Sequence, residues 1–205
     1  MTSVDRAVTA RRPEAEPATP VVGIAASAGG PSALALILPA IGGLAAPVLV
    51  VQHLDPRFER DFVRWMARVS ALPLEPPRAG AALRPGVVYI ASHGRHLKLG
   101  PGRTVALDRD PQGLHRPSAD ELFLSIAAHA GRAGVGVILT GMGDDGAVGL
   151  RELWRAGGAT IAQDRESSAV HGMPQAAERL GAAGATRPLG DIAAAIHQAV
   201  KARAR

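Results

Sequence analysis

A chain of 205 residues that is 47% hydrophobic can bury a core without disulfide or metal staples, and its size suits a single domain. Aromatic residues make up only 3%, so Ala, Val, Leu and Ile must do the packing. With no cysteine at all, disulfide scaffolds, thiolate zinc sites and cysteine nucleophiles are excluded. The formal charge of +5 raises nucleic acid as a partner, but the basic residues are scattered among acids, with no basic helix face and no aromatic stacking row. The charge therefore reads as solubility, and no nucleic-acid partner is expected.

In chain order, residues 1–20 mix Pro, Glu, Arg, Thr and Ala without periodicity and read as a flexible leader. They carry no apolar segment of a secretory signal, and no later run approaches the ~18–20 apolar residues that cross a bilayer. No membrane insertion and a cytoplasmic location are expected. Residues 21–205 form the domain. Val21–Ala26 is a buried strand, cut off by Ser27 and the glycines that follow, and Pro31 opens a helix to Ile41. A serine at such a strand-to-helix turn resembles the nucleophile elbow of serine hydrolases, with alanine in place of the first glycine of G-x-S-x-G. Glycine-rich turns of this kind also cradle phosphates or simply pack tightly.

Pro47–Val51 is a second strand, ending at Gln52-His53-Leu54-Asp55. Phe58, Phe62, Met66 and Val69 then fall at helical spacing. Leu72–Ala82 is proline-rich and extended. Val87–Ile90, His96–Leu99 and Thr104–Leu107 are short runs between Gly and Pro turns, which predicts a small antiparallel excursion of hairpins. After a polar loop over Asp108–Pro117, Ser118 and Glu121 have the spacing of a capping box for the helix carrying Leu122, Phe123 and Ile126. Val135–Leu139 is a strand followed by the loop Thr140-Gly141-Met142-Gly143-Asp144-Asp145-Gly146. A helix (Val148–Ala156), a strand (Ala159–Gln163), a short helix to Leu180 and a last helix from about Asp191 complete the chain. This alternation predicts an α/β fold: a doubly wound, mainly parallel sheet with helices on both faces and the small hairpin excursion.

Functional groups gather at the carboxyl ends of strands in such sheets. Ser27, His53 and the pair Asp144-Asp145 each follow a strand, which places the ingredients of a Ser-His-Asp triad on one edge. Other readings of the same residues stay open. Ser27 could start a helix. The aspartates could be turn residues, the N-cap of the next helix, or a paired-aspartate magnesium site. Asp55 holds the position of a ribose-binding acid, although G-x-G-x-x-G is missing. His93, His96, His115, His129, His171 and His197 read mostly as solvated imidazoles.

Six blocks, GIAASAGG, VVQHLDPRF, GVVYIASHGRHLKL, HRPSADELFLSIAAHAG, GVILTGMGDDGAVGL and AQDRESSAVHGMPQAA, occur in order from about Val21 to the C-terminus. Together they resemble the catalytic domain of the CheB chemotaxis methylesterases. The resemblance implies a serine hydrolase with the triad Ser27, His53 and Asp145, the second aspartate of GMGDDG. It implies hydrolysis of glutamyl methyl esters on the cytoplasmic helices of chemoreceptors, releasing methanol, and deamidation of particular receptor glutamines. On this reading the backbone amides of Ala28 and Met142 are the expected oxyanion donors. No metal and no cofactor is expected to take part in catalysis.

Two departures stand out. The family's receiver domain has no room in the roughly 20 residues before the first strand. Control by phosphorylation in cis is therefore not expected, leaving a constitutively open enzyme or a separate regulatory protein. Ala28 also stands where better-known members carry threonine, which bears on substrate preference more than on chemistry. The rival reading is a non-catalytic module of the same fold that docks on receptor or signalling helices. A third is an esterase acting outside chemotaxis.

Overall fold

The computed structural model describes residues 19–92, 94–109 and 115–204. Most of the expected leader, His93 and the middle of the 108–117 loop lie outside the described residues.

The strands are β1 (Val21–Ala26), β2 (Val48–Gln52), β3 (Leu74–Glu75), β4 (Val88–Ile90), β5 (His96–Gly100), β6 (Thr104–Asp108), β7 (Gly134–Ile138), β8 (Ala159–Gln163) and β9 (Ala185–Arg187). The helices are α1 (Gly30–Ala40), α2 (Pro56–Val69), α3 (Ala119–His129), α4 (Ala147–Arg155), α5 (Gly172–Arg179) and α6 (Leu189–Arg203). Seven strands form one parallel sheet in the order β3-β4-β2-β1-β7-β8-β9, and β5 and β6 pair antiparallel beside it.

Alternation along β1 divides the core. Val22, Ile24 and Ala26 face α1, α2 and α6, whereas Val21 and Ala25 face α3, α4, α5 and the hairpin. Each central strand is buried on both faces, which is why these runs are apolar without a polar alternate. No helix among the described residues is long and apolar enough to cross a membrane.

The chain winds outward from β1 in one direction through β2 and in the other through β7. The crevice above the carboxyl ends of β1 and β7 is thus the topological switch point, where such sheets bind their ligands.

One expectation needs correction, and two short edge strands add to the others. Val88–Ile90 is no part of the hairpin excursion; it joins the main sheet beside β2, with Val88 opposite Val48. Its three side chains are all buried, as a strand covered on both faces requires. The stretch 72–82 contributes the short strand β3, and Ala185–Arg187 adds β9 at the other edge. Edge strands this short carry too few residues for a period to be read.

Candidate active site

The turn after β1 is built around two glycines. Gly29 has φ +79° and is the residue from which α1 starts, so the left-handed step falls there. Arg103 is the only non-glycine with positive φ among the described residues, so Ser27 itself sits in ordinary backbone. This corrects the likeness to a nucleophile elbow, in which the serine is the strained residue. Ser27 is half-buried, and its N–H donates to the Thr140 carbonyl at 3.0 Å, tying the turn to the end of β7.

Two carbonyls on this rim are locked, and each lock aims an amide. The Ser27 carbonyl accepts from the Gly30 N–H at 2.8 Å and from Gln52 Nε2 at 2.9 Å. A trans peptide is planar, so the Ala28 N–H must point the opposite way, out of the turn. Likewise the Gly141 carbonyl accepts from the Met173 N–H at 2.9 Å, which turns the Met142 N–H away from α5. Neither the Ala28 nor the Met142 amide donates to another group among the described residues, and both residues are exposed. Gly141 lies against the serine: a Cβ there would stand 2.8 Å from Ser27 Cβ and 2.2 Å from Met173 Sδ.

His53 follows β2, one strand over. Its N–H donates to the Ala26 carbonyl at 2.9 Å, and Gln52 Nε2 also donates to the His53 carbonyl at 2.8 Å. One buried amide therefore clamps the backbones of Ser27 and His53 together. A glutamine inside an apolar run shows only that a buried polar side chain must find partners. Among the described residues no hydrogen bond joins Ser27 Oγ to the imidazole; what the fold fixes is the adjacency of their strand ends.

The imidazole reaches the carboxylate. His53 Nε2 lies 2.8 Å from Asp145 Oδ2, close in distance but off the line of a straight hydrogen bond. His115 stacks on its ring, with centroids 4.9 Å apart and planes 15° from parallel. From sequence, His115 reads as a solvated imidazole. A ring on the far side of a loop carries no local signal of what it stacks on.

Asp145 is 6% exposed and caps α3 rather than the helix that follows it. Its Oδ1 accepts from Ser118 Oγ at 2.9 Å and from the Asp120 N–H at 3.0 Å, and its Oδ2 accepts from the Ala119 N–H at 2.7 Å. Burial pushes the carboxyl up. The contact with His53 and the two backbone donors outweigh it and hold the pKa at about 2. The positive end of α3 adds to that pull.

The N-cap of α4 is Gly146, with no side-chain cap, so the expected Asp144 or Asp145 N-cap at that helix is not formed. Asp144 is exposed and gives its backbone carbonyl to the Ala147 N–H.

The expected capping box is half made. Ser118 Oγ accepts from the Glu121 N–H at 3.3 Å, but Glu121 pairs with Lys98 Nζ at 2.7 Å. The Ser118 N–H goes instead to Nδ1 of His96, a residue only 1% exposed and not the solvated imidazole expected. Asp120 accepts from the Gly149 N–H at 2.7 Å, joining α3 to α4, and burial raises its carboxyl. Asp55 caps α2 through the Arg57 N–H at 2.9 Å, a structural task in place of the ribose contact left open above.

The arrangement supplies a half-buried hydroxyl, an imidazole on an ionised carboxylate, and two outward amides around one crevice. His53, His115 and Asp145 are the described residues that could share a metal ion.

Residues 22–196 match the family model described as CheB methylesterase. The chain is 48% identical over 179 residues to a protein-glutamate methylesterase/protein-glutamine glutaminase of Anaeromyxobacter dehalogenans, covering 84% of this chain and 52% of that protein. It is 43% identical over 192 residues to the protein-glutamate methylesterase FrzG of Myxococcus xanthus, covering 92% of this chain and 57% of the relative. The chain thus spans about half the length of the curated relatives it matches. Among solved structures, the CheB methylesterase catalytic domain of Thermotoga maritima superposes with a TM-score of 0.83 at 32% identity, covering 87% of this chain and 97% of that one.

Proposed function

The chain belongs to the CheB methylesterase family, and from that premise we propose that it is a serine hydrolase that removes methyl groups from glutamyl esters on the cytoplasmic helices of chemoreceptors. The observation that carries the reading is the imidazole of His53 lying 2.8 Å from a buried carboxylate, at a strand end paired with the one that leads into Ser27.

With Nε2 on Asp145, Nδ1 is the ring nitrogen that serves Ser27. It takes the hydroxyl proton as Oγ attacks the ester carbonyl, since an alcohol is a weak nucleophile without a base. Asp145 stays ionised and stabilises the imidazolium. The carbonyl oxygen becomes an oxyanion held by the Ala28 and Met142 amides, whose orientation is set before substrate arrives; each such donor lowers the barrier by ~3 kcal/mol. The tetrahedral intermediate collapses, methoxide leaves with the proton from His53 as methanol, and the glutamyl group remains on Oγ. Water then attacks the acyl-enzyme, giving its proton to His53, and glutamate departs as Ser27 recovers its proton. With glutamine in place of the ester, ammonia leaves instead. The cytoplasm, where receptor helices of this kind lie, is the proposed location.

The test is methanol release from methylated chemoreceptor compared with generic esters, together with labelling by a serine-directed phosphonate. Ser27→Ala should abolish both while leaving the thermal transition in place. Undiminished turnover in that variant removes Ser27 from the mechanism. A wild-type chain that neither labels nor releases methanol is a docking module.

A further inference from the structure

We propose that the imidazoles of His53 and His115 and the carboxylate of Asp145 form a binding site for a divalent transition-metal ion of the zinc type, and that an ion held there switches the hydrolase off. The switch rests on the hydrolase reading above; the site does not.

The donor atoms of the three residues lie within 4.8 Å of one another. Tetrahedral zinc, with bonds of about 2.0–2.1 Å, needs its ligand atoms about 3.3 Å apart. The His53–Asp145 edge is already shorter than that, at 2.8 Å, and must open slightly. His115 has the remaining distance to close. It is exposed, and its ring makes no hydrogen bond among the described residues, so it can swing toward Nε2 at the cost of a stacking contact alone.

Two neutral imidazoles and a carboxylate form a borderline donor set that suits zinc and its neighbours over magnesium or calcium. The carboxylate is also held as ligating carboxylates are. Ser118 Oγ and the Ala119 and Asp120 amides occupy its other lone pairs, so it needs little reorganisation to receive an ion. One short segment, His115 to Asp120, supplies both the third ligand and the clamp on the carboxylate. Three protein ligands leave a fourth position for water.

Inhibition follows from proton bookkeeping. A neutral imidazole carries one ring proton. When Nε2 binds the metal, that proton must reside on Nδ1, the nitrogen that serves Ser27. Nδ1 can then no longer accept the serine proton, and the base is lost without any movement of the serine.

The experiment is calorimetric titration of zinc chloride into chelator-treated full chain, in parallel with ester hydrolysis. Wild type should bind one ion per chain. His115→Ala and His53→Gln should each weaken binding by at least about tenfold. Zinc should inhibit hydrolysis, EDTA should restore it, and His115→Ala should raise the half-inhibiting zinc concentration by the factor seen in binding. Because His115 is exposed, its loss leaves the fold standing. No saturable binding, or equal affinity in wild type and His115→Ala, overturns the site. Saturable binding without inhibition overturns the switch. Calorimetry needs no turnover, so absence of hydrolysis in metal-free protein counts against the hydrolase reading alone.

Discussion

Replacing Asp145 with asparagine removes one charge from a buried carboxylate at almost constant volume, and its cost can be worked from the contacts. Three donors bond it, Ser118 Oγ and the Ala119 and Asp120 amides, and His53 Nε2 lies against it at 2.8 Å. Asparagine offers one oxygen, which can serve two of the backbone and hydroxyl donors. Its NH2 group then faces the Ala119 amide, donor against donor, and flipping the side chain only moves the conflict to the other oxygen. A lost hydrogen bond to a charged group is worth about 1.5–3 kcal/mol, and the anion at a helix N-terminus about 0.3–1 kcal/mol more.

Titration gives a second route. A carboxyl at about 2 when folded and near 3.8 when unfolded contributes about 2 kcal/mol at neutral pH. The sign is that of a depressed acid: the contribution is complete above the unfolded value and is lost as pH falls toward 2. Urea unfolding at pH 7 should therefore place Asp145→Asn about 2–3 kcal/mol below wild type, leaving most domains of this size folded. The gap should shrink by about 2 kcal/mol between pH 5 and pH 2. Methanol release should fall by about 10⁴ in kcat, as triads do when the acid becomes an amide. A gap under 0.5 kcal/mol at pH 7, or one constant across that acid range, refutes the assignment of Asp145 as the ionised cap of α3.

The neighbouring Asp144→Asn supplies the contrast: an exposed side chain should change stability by less than about 0.5 kcal/mol and kcat by less than about threefold, read in the same melts and assays. Gln52→Leu removes the amide that clamps the Ser27 and His53 carbonyls. Because it sets the Ala28 amide through a rigid peptide, kcat should drop by about 10- to 100-fold with KM little changed, less than the roughly 10²–10³-fold cost of removing an oxyanion donor outright, because the Gly30 N–H still holds the Ser27 carbonyl; equal loss in both parameters would point to general loosening. Gly141→Ala drives a methyl group against Ser27 Cβ and Met173 Sδ. Phosphonate labelling of Ser27 should slow at least about tenfold, with about 1–3 kcal/mol lost in stability.

The local pattern of residues was enough to place the alternation of strands and helices, the turn after Ala26, and the three chemical groups at strand ends. Buried parallel strands are apolar runs and their helices amphipathic, while turns need glycine, proline and short polar residues. These are properties of a few consecutive residues. The same pattern put Ser27, His53 and the pair Asp144-Asp145 on one edge, because a parallel sheet brings every strand's carboxyl end to the same side.

Partnership was another matter. Whether Val88–Ile90 pairs in a hairpin or beside Val48–Val50, its partners 40 positions earlier in the chain, depends on what lies next to it once the intervening residues have folded. Asp145 reads locally as a cap for the helix just ahead, yet it caps a helix 26 residues upstream, because α3 and α4 pack with that N-terminus over the carboxylate. Gln52, His96 and His115 carry no mark in the sequence of the contacts they make. Hydrogen-bond acceptors and stacked rings are chosen by which surfaces meet, and only the packed chain decides that.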